Sequence, residues 1–134
     1  LVARKHEAVL GAGSHATTFG GTALACAAAL AVIQAMDQEE VLFNVQRVGA
    51  HLRGGLLALQ RKYACIKEVR GVGLMLGVEF DRPVGPMLKR AAELDLLVIS
   101  AGEKILRLLP PLIVTPEQAD DALKILDQAI GEMP

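Results

Sequence analysis

Tryptophan is absent from this 134-residue chain, tyrosine occurs once and phenylalanine three times. So little aromatic surface nearly excludes the stacking of bases on a protein platform and leaves the core to leucine, valine, isoleucine and alanine. Net charge is lacking too. Fourteen basic against fifteen acidic residues leave −1 at pH 7, which creates no field to gather nucleic acid or an anionic membrane. Cysteine occurs only at Cys26 and Cys65. That argues against a disulfide framework or a zinc site and reads as two reduced thiols in a cytosolic protein. The longest uncharged segment, Ala8 to Met36, is interrupted in its first half by His15, Thr17, Thr18 and glycines. Its apolar part, Ala23 to Ile33, is shorter than the ~20 residues a bilayer requires and reads as a buried helix. No secretory signal is visible, because Arg4, Lys5, His6 and Glu7 stand where its apolar region would begin. The opening "LVARKHEAVL", without methionine, is expected of a piece cut from a longer protein.

What is present is apolar patterning. Hydrophobic residues make up 52% of the chain, above the usual share for a soluble domain, and the length is that of a single domain with a real core. Thr22 is placed to cap a helix running to about Met36. Asp37 and Glu40 have capping-box spacing for a second helix, in which Leu42, Val45, Gly49, Leu52, Leu56 and Leu59 recur at three and four residues. The period then changes. In "CIKEVRGVGLMLGVEF", Ile66, Val69, Val72, Leu74, Leu76, Val78 and Phe80 alternate as in strands, and Gly71, Gly73 and Gly77 permit bends or close backbone approach. Met87, Leu88, Ala91 and Leu94 predict a third helix, "LLVIS" and "ILRLLP" two further strands, and "TPEQADDALKILDQAIGEM" a last helix with Thr115 as N-cap, Pro116 in its first turn and Gln118 closing a capping box. The fold class expected is α+β: a small, mostly antiparallel sheet with helices packed on it, preceded by a connecting helix.

Two stretches could carry chemistry. In "GSHATTFGG", Gly13 to Gly21, glycines and hydroxyls run into a helix start, which suits an anion. On local grounds alone, a turn leading into a capped helix accounts for it better, and His15 is more often a structural imidazole than a base. In "ILRLLPPLIV", Arg107 is the sole charge between Ile105 and Val114 and would share a strand face with Ile105 and Leu109. Either it snorkels to solvent or it is held as a fixed cation for a carboxylate, and the residues leave both open. The following proline pair stiffens the exit from the strand.

Taken in order, "HATTFGGTALACAAALAV", "VRGVGLMLGVEF" and "LRLLPPLIVT" resemble the C-terminal third of the class III pyridoxal phosphate dependent aminotransferases, most closely the acetylornithine aminotransferases, over essentially the whole chain. The resemblance implies the C-terminal part of a fold type I enzyme. Residues 1–36 would end the large cofactor-binding domain and residues 37–134 would form the small domain. Thr18 would bind the phosphate of pyridoxal 5'-phosphate in the neighbouring subunit, with Thr17 nearby, and Arg107 would grip the substrate's α-carboxylate. Catalytic residues would be absent, because the Schiff-base lysine lies upstream in the family, and none of Lys5, Lys62, Lys67, Lys89, Lys104 or Lys124 has its glycine-rich context. This chain would therefore be inactive alone. Thr22 and Ala23 depart from the asparagine and proline common after the paired glycines.

The function so implied is transfer of an amino group between N-acetylornithine and 2-oxoglutarate, in arginine biosynthesis, by a cytoplasmic homodimer with shared active sites. Its partners would be small amino and 2-oxo acids, with neither nucleic acid nor membrane. Ornithine, succinylornithine and 4-aminobutyrate are the alternative substrates. The rivals of another class are a free-standing α+β ligand-binding or regulatory module without catalysis, and a structural or dimerisation domain.

Overall fold

The computed structural model describes residue 13 and residues 16–133. His15 therefore lies outside the described residues. The chain divides after Met36 into two compact units.

In the first unit, Gly21 takes a left-handed φ of 79°. Thr22 then caps helix α1 (Ala23–Gln38), its Oγ1 accepting from the Ala25 amide at 3.3 Å. This is the cap expected from the sequence. Within this chain no residue of α1 is buried, against the buried helix expected; Leu24 is 82% exposed, and Cys26 is exposed as well. The helix is apolar around most of its circumference, the character of a helix that is enclosed on all sides in a larger body.

The second unit contains α2 (Val41–Lys62), β1 (Ile66–Val72), β2 (Met75–Phe80), α3 (Gly85–Glu93), β3 (Ile99–Ser100), β4 (Ile105–Leu108) and α4 (Pro116–Gly131). The order of helices and strands is the one the periodicities predict. Two details differ. The Asp37 capping box does not form: α1 continues to Gln38, and Glu40 enters α2 with φ 49° and no side-chain cap. Leu42 faces solvent, while Val41 and Val48 are buried with Gly49, Leu52, Leu56 and Leu59. Val41, Val48 and Leu52 share one face of α2 at the 3.6-residue period, while Leu42, one heptad before Gly49, borders an open groove between α2 and the β1–β2 turn. At the far end, Thr115 and Gln118 close the predicted box on α4, at 3.3 Å and 3.0 Å.

The strands form one antiparallel sheet in the order β1-β2-β4-β3. Val69, Leu76, Val78, Phe80, Leu106 and Leu108 are buried and join the core side chains of α2, α3 and α4. One sheet face is thereby covered by helices. The α2–α4 seam is tied by Asp127, whose carboxylate accepts from Lys62 Nζ at 2.7 Å and from Tyr63 Oη at 2.8 Å. These hydrogen bonds, that of Lys62 foremost, hold the carboxyl below its ordinary range.

The α2 backbone comes close to the β1–β2 turn. Val72 pairs with Met75, so Gly73 and Leu74 make the loop, with Gly73 at φ 56° and Leu74 turned into the core. A positive φ at the first loop position suits glycine. A Cβ on Gly49 would stand 2.4 Å from the Gly73 carbonyl oxygen. A helical glycine costs about 0.5–1 kcal/mol relative to alanine, yet here it is what admits the hairpin. Gly49→Ala is therefore expected to destabilise the protein by roughly 1–3 kcal/mol, against the stabilisation that helix propensity alone predicts; urea unfolding of the two proteins distinguishes the signs.

Candidate functional site

Because Leu106 and Leu108 point into the core, Ile105 and Arg107 point to the opposite face of the sheet. Across the ladder Arg107 lies beside Gly77 on β2 and Ile99 on β3. Gly77 offers no side chain, and the slot it leaves is bordered by Ile105 and by Arg70 of β1. Arg107 is half-buried. It lines a shallow depression with Arg70, Val72, Met75 and Ile105, and also a deeper apolar cavity with Val98, Leu109, Pro110 and Gln118. Among the residues lining that cavity it carries the only charge.

The two arginines of this face differ in their partners. Arg70 donates to Glu68 at 2.7 Å and to Glu79 at 2.6 Å, and these carboxylates, Glu79 foremost, raise its pKa further. Arg107 makes no hydrogen bond or ion pair among the described residues, and its Nε is buried without an acceptor. A charged donor in that state costs of order 1–3 kcal/mol. A guanidinium fork matches a carboxylate in two parallel bonds. Of its nitrogens only Nε is buried without an acceptor, so both readings open in the sequence, snorkel and anchor, fit this geometry.

The other predicted residues, Thr17 and Thr18, are adjacent in the loop before α1, in the first unit. Both are exposed, and neither hydroxyl has a partner among the described residues. A Cβ on Gly20 would fall 2.1 Å from Thr17 Cγ2, so the loop folds tightly against this threonine. No acidic residue occupies the first turn of α1. Free hydroxyls, a glycine-permitted turn and a helix start without carboxylates fit a phosphate group.

Among the described residues no group of histidine, cysteine, aspartate and glutamate side chains could hold a metal, and no helix is long and apolar enough to cross a membrane. A family model described as aminotransferase class-III matches residues 1–130. The chain belongs to the class III aminotransferases. Acetylornithine aminotransferase 1 of Bordetella parapertussis is 51% identical over 126 residues, which cover 94% of this chain and 32% of that protein. The crystal structure of acetylornithine aminotransferase from Elizabethkingia anophelis superposes with a TM-score of 0.81 at 31% identity, covering 92% of this chain and 32% of the other. Ornithine aminotransferase from Toxoplasma gondii gives 0.79 at 32%, covering 90% and 30%. The chain thus spans about a third of the length of the relatives it matches. The α+β architecture is that of pyridoxal phosphate aminotransferases, and pyridoxal phosphate is the cofactor of the family.

One tie beside Arg107's strand was not foreseen from the sequence. Asn44, on α2, donates through Nδ2 to the Leu112 and Val114 carbonyls, at 2.9 Å and 3.1 Å, in the segment that follows Arg107. Its sequence signal is slight: an amide, a weak helix former, beside an apolar stripe.

The partnerless state of Arg107 has a consequence for stability. Arg107→Met keeps an apolar stem of similar reach and removes the charged donor, so thermal unfolding should show a midpoint unchanged or raised. An arginine whose charge supported the fold would instead leave a lower midpoint when replaced.

Proposed function

We propose that this chain is the C-terminal part of an aminotransferase that moves an amino group between N-acetylornithine and 2-oxoglutarate, in arginine biosynthesis. The observation that carries the reading is Arg107, with its Nε buried and without an acceptor among the described residues, on the open sheet face of a class III aminotransferase chain. An amino-acid substrate and its 2-oxo counterpart both carry an α-carboxylate, the group that a fixed arginine fork recognises. The choice of acetylornithine rests on relatives of that name, identical at up to 51% of positions over nearly the whole chain.

In this reading residues 1–36 end the large domain and residues 37–134 form the small one, a division supported by the two compact units. Thr18, with Thr17 beside it, binds the phosphate of pyridoxal 5'-phosphate through the free hydroxyls, and the phosphate is that of the neighbouring subunit in a cytoplasmic homodimer. Bound pyridoxal phosphate would supply an electron sink for charge that develops at the carbon bearing the transferred amino group, Cδ of N-acetylornithine and Cα of the 2-oxoglutarate-derived product. What this chain contributes is position. Arg107 holds the carboxylate in two bonds and so fixes where the rest of the substrate lies, and the apolar lining beside it strengthens the ion pair. The lysine that carries the cofactor belongs to the remainder of the full-length protein, so residues 1–134 alone do not transaminate.

Two expected outcomes follow for the full-length enzyme. Arg107→Lys keeps the charge but loses the fork; at ~1.5–3 kcal/mol for a hydrogen bond to a charged group, kcat/KM should fall roughly 10- to 150-fold. Steady-state assays with N-acetylornithine, and with ornithine in parallel, measure this loss and identify the preferred donor; wild-type kcat/KM in the variant would sink the assignment. Thr18→Val should weaken cofactor retention. Mixing that variant with a chain lacking the cofactor-bearing lysine should then restore activity, because one site of each heterodimer takes its lysine from the first chain and Thr18 from the second. A mixture no more active than its parents would place Thr18 in its own subunit's site.

A further inference from the structure

The β2–β4 ladder ends at the Leu76–Leu108 pair, directly after Arg107. From Leu109 to Val114 the chain belongs to neither sheet nor helix. Pro110 and Pro111 have no amide hydrogen to donate. One internal turn, from the Val114 amide to the Pro111 carbonyl at 3.0 Å, shapes this segment. Its attachment to the rest of the unit by hydrogen bonds is Asn44, whose Nδ2 bridges the Leu112 and Val114 carbonyls. The other end of that amide is held as well, since Oδ1 accepts from Arg47 Nη2 at 3.1 Å.

The pinned segment has an unusual surface. Leu109, Leu112 and Ile113 are 54%, 42% and 69% exposed, so apolar burial contributes little to holding them. Leu109, Pro110, Pro111 and Val114 nevertheless line the same cavity as Arg107. A displacement of this segment changes the wall against which the guanidinium rests, and the stiff proline pair transmits it back to the end of β4. We infer that Asn44 is a positioning residue for Arg107: from a different helix, by two hydrogen bonds to the backbone, it sets the orientation of the carboxylate-binding fork. The inference rests on the reading of Arg107 as carboxylate anchor.

The test is a double-mutant cycle in the full-length enzyme, with whichever amino-acid and 2-oxo-acid pair it turns over. Asn44→Ala should raise KM for both substrates, which share only the carboxylate, by roughly tenfold, as expected for two neutral hydrogen bonds, while kcat changes less than about threefold. In an Arg107→Ala background the same substitution should add no further loss. Arg47→Ala, which releases only the Oδ1 end, should act in the same direction by roughly two- to threefold and serves if Asn44→Ala does not fold. An Asn44→Ala enzyme that melts early with wild-type KM is structural only and overturns the inference, as do losses that multiply in the double variant. If Arg107→Ala raises KM while Asn44→Ala does not, the inference fails and the reading of Arg107 survives; if Arg107→Ala itself leaves KM unchanged, both fall.

Discussion

Everything in the second unit is referred to the contact between α2 and the β1–β2 hairpin. Gly49 brings the helix backbone against the carbonyl of Gly73, and that approach sets how deeply the sheet sits on the helices. Once β1 and β2 are seated, Val69, Leu76 and Val78 are committed to the buried face. The alternation of a strand then leaves no choice for its neighbours: with Leu106 and Leu108 in the core, Arg107 is delivered to the open face. A side chain is aimed here by burying the residues on either side of it.

The same face shows how an arginine is kept available. Arg70 and Arg107 stand on either side of Gly77, yet the acidic residues Glu68 and Glu79 engage Arg70 only. Apolar residues, Ile99, Ile105, Leu108 and Leu109, surround it instead, in a setting of low polarizability where a charge–charge contact is stronger than in water. The fold tolerates an unpaired donor at this position, a local cost of the kind that marks sites with a ligand.

The first unit presents the complementary case. Its loop holds two hydroxyls without partners before a capped helix, and α1, sixteen residues of nearly uniform apolar character, has none buried. Such a helix belongs inside a larger body, consistent with a chain that spans about a third of its relatives. Together the two units present opposite aspects of one kind of enzyme, a phosphate-compatible loop in one and a carboxylate-compatible cation in the other.

Local chemistry made most of the architecture legible in advance. The cap at Thr22, the box at Thr115 and Gln118, and the change from a period near 3.6 to a period of two are encoded in neighbouring residues, because hydrogen bonds and side-chain direction within an element depend on little else. Three ordered motifs, rather than any single one, carried the family. Where the expectations from sequence did not hold, residues far apart in the chain decided. Asp37 stays in α1 instead of capping α2, and Leu42 is uncovered, because which surfaces meet is not a local property. That Glu68 and Glu79 pair with Arg70 and not with Arg107 was hidden for the same reason, since it depends on how three strands come into register. The role of Asn44 spans a separation of 68 to 70 residues. An amide's partners are set by where the backbone of another element comes to rest, and only the packing of α2 against the segment after β4 decides that.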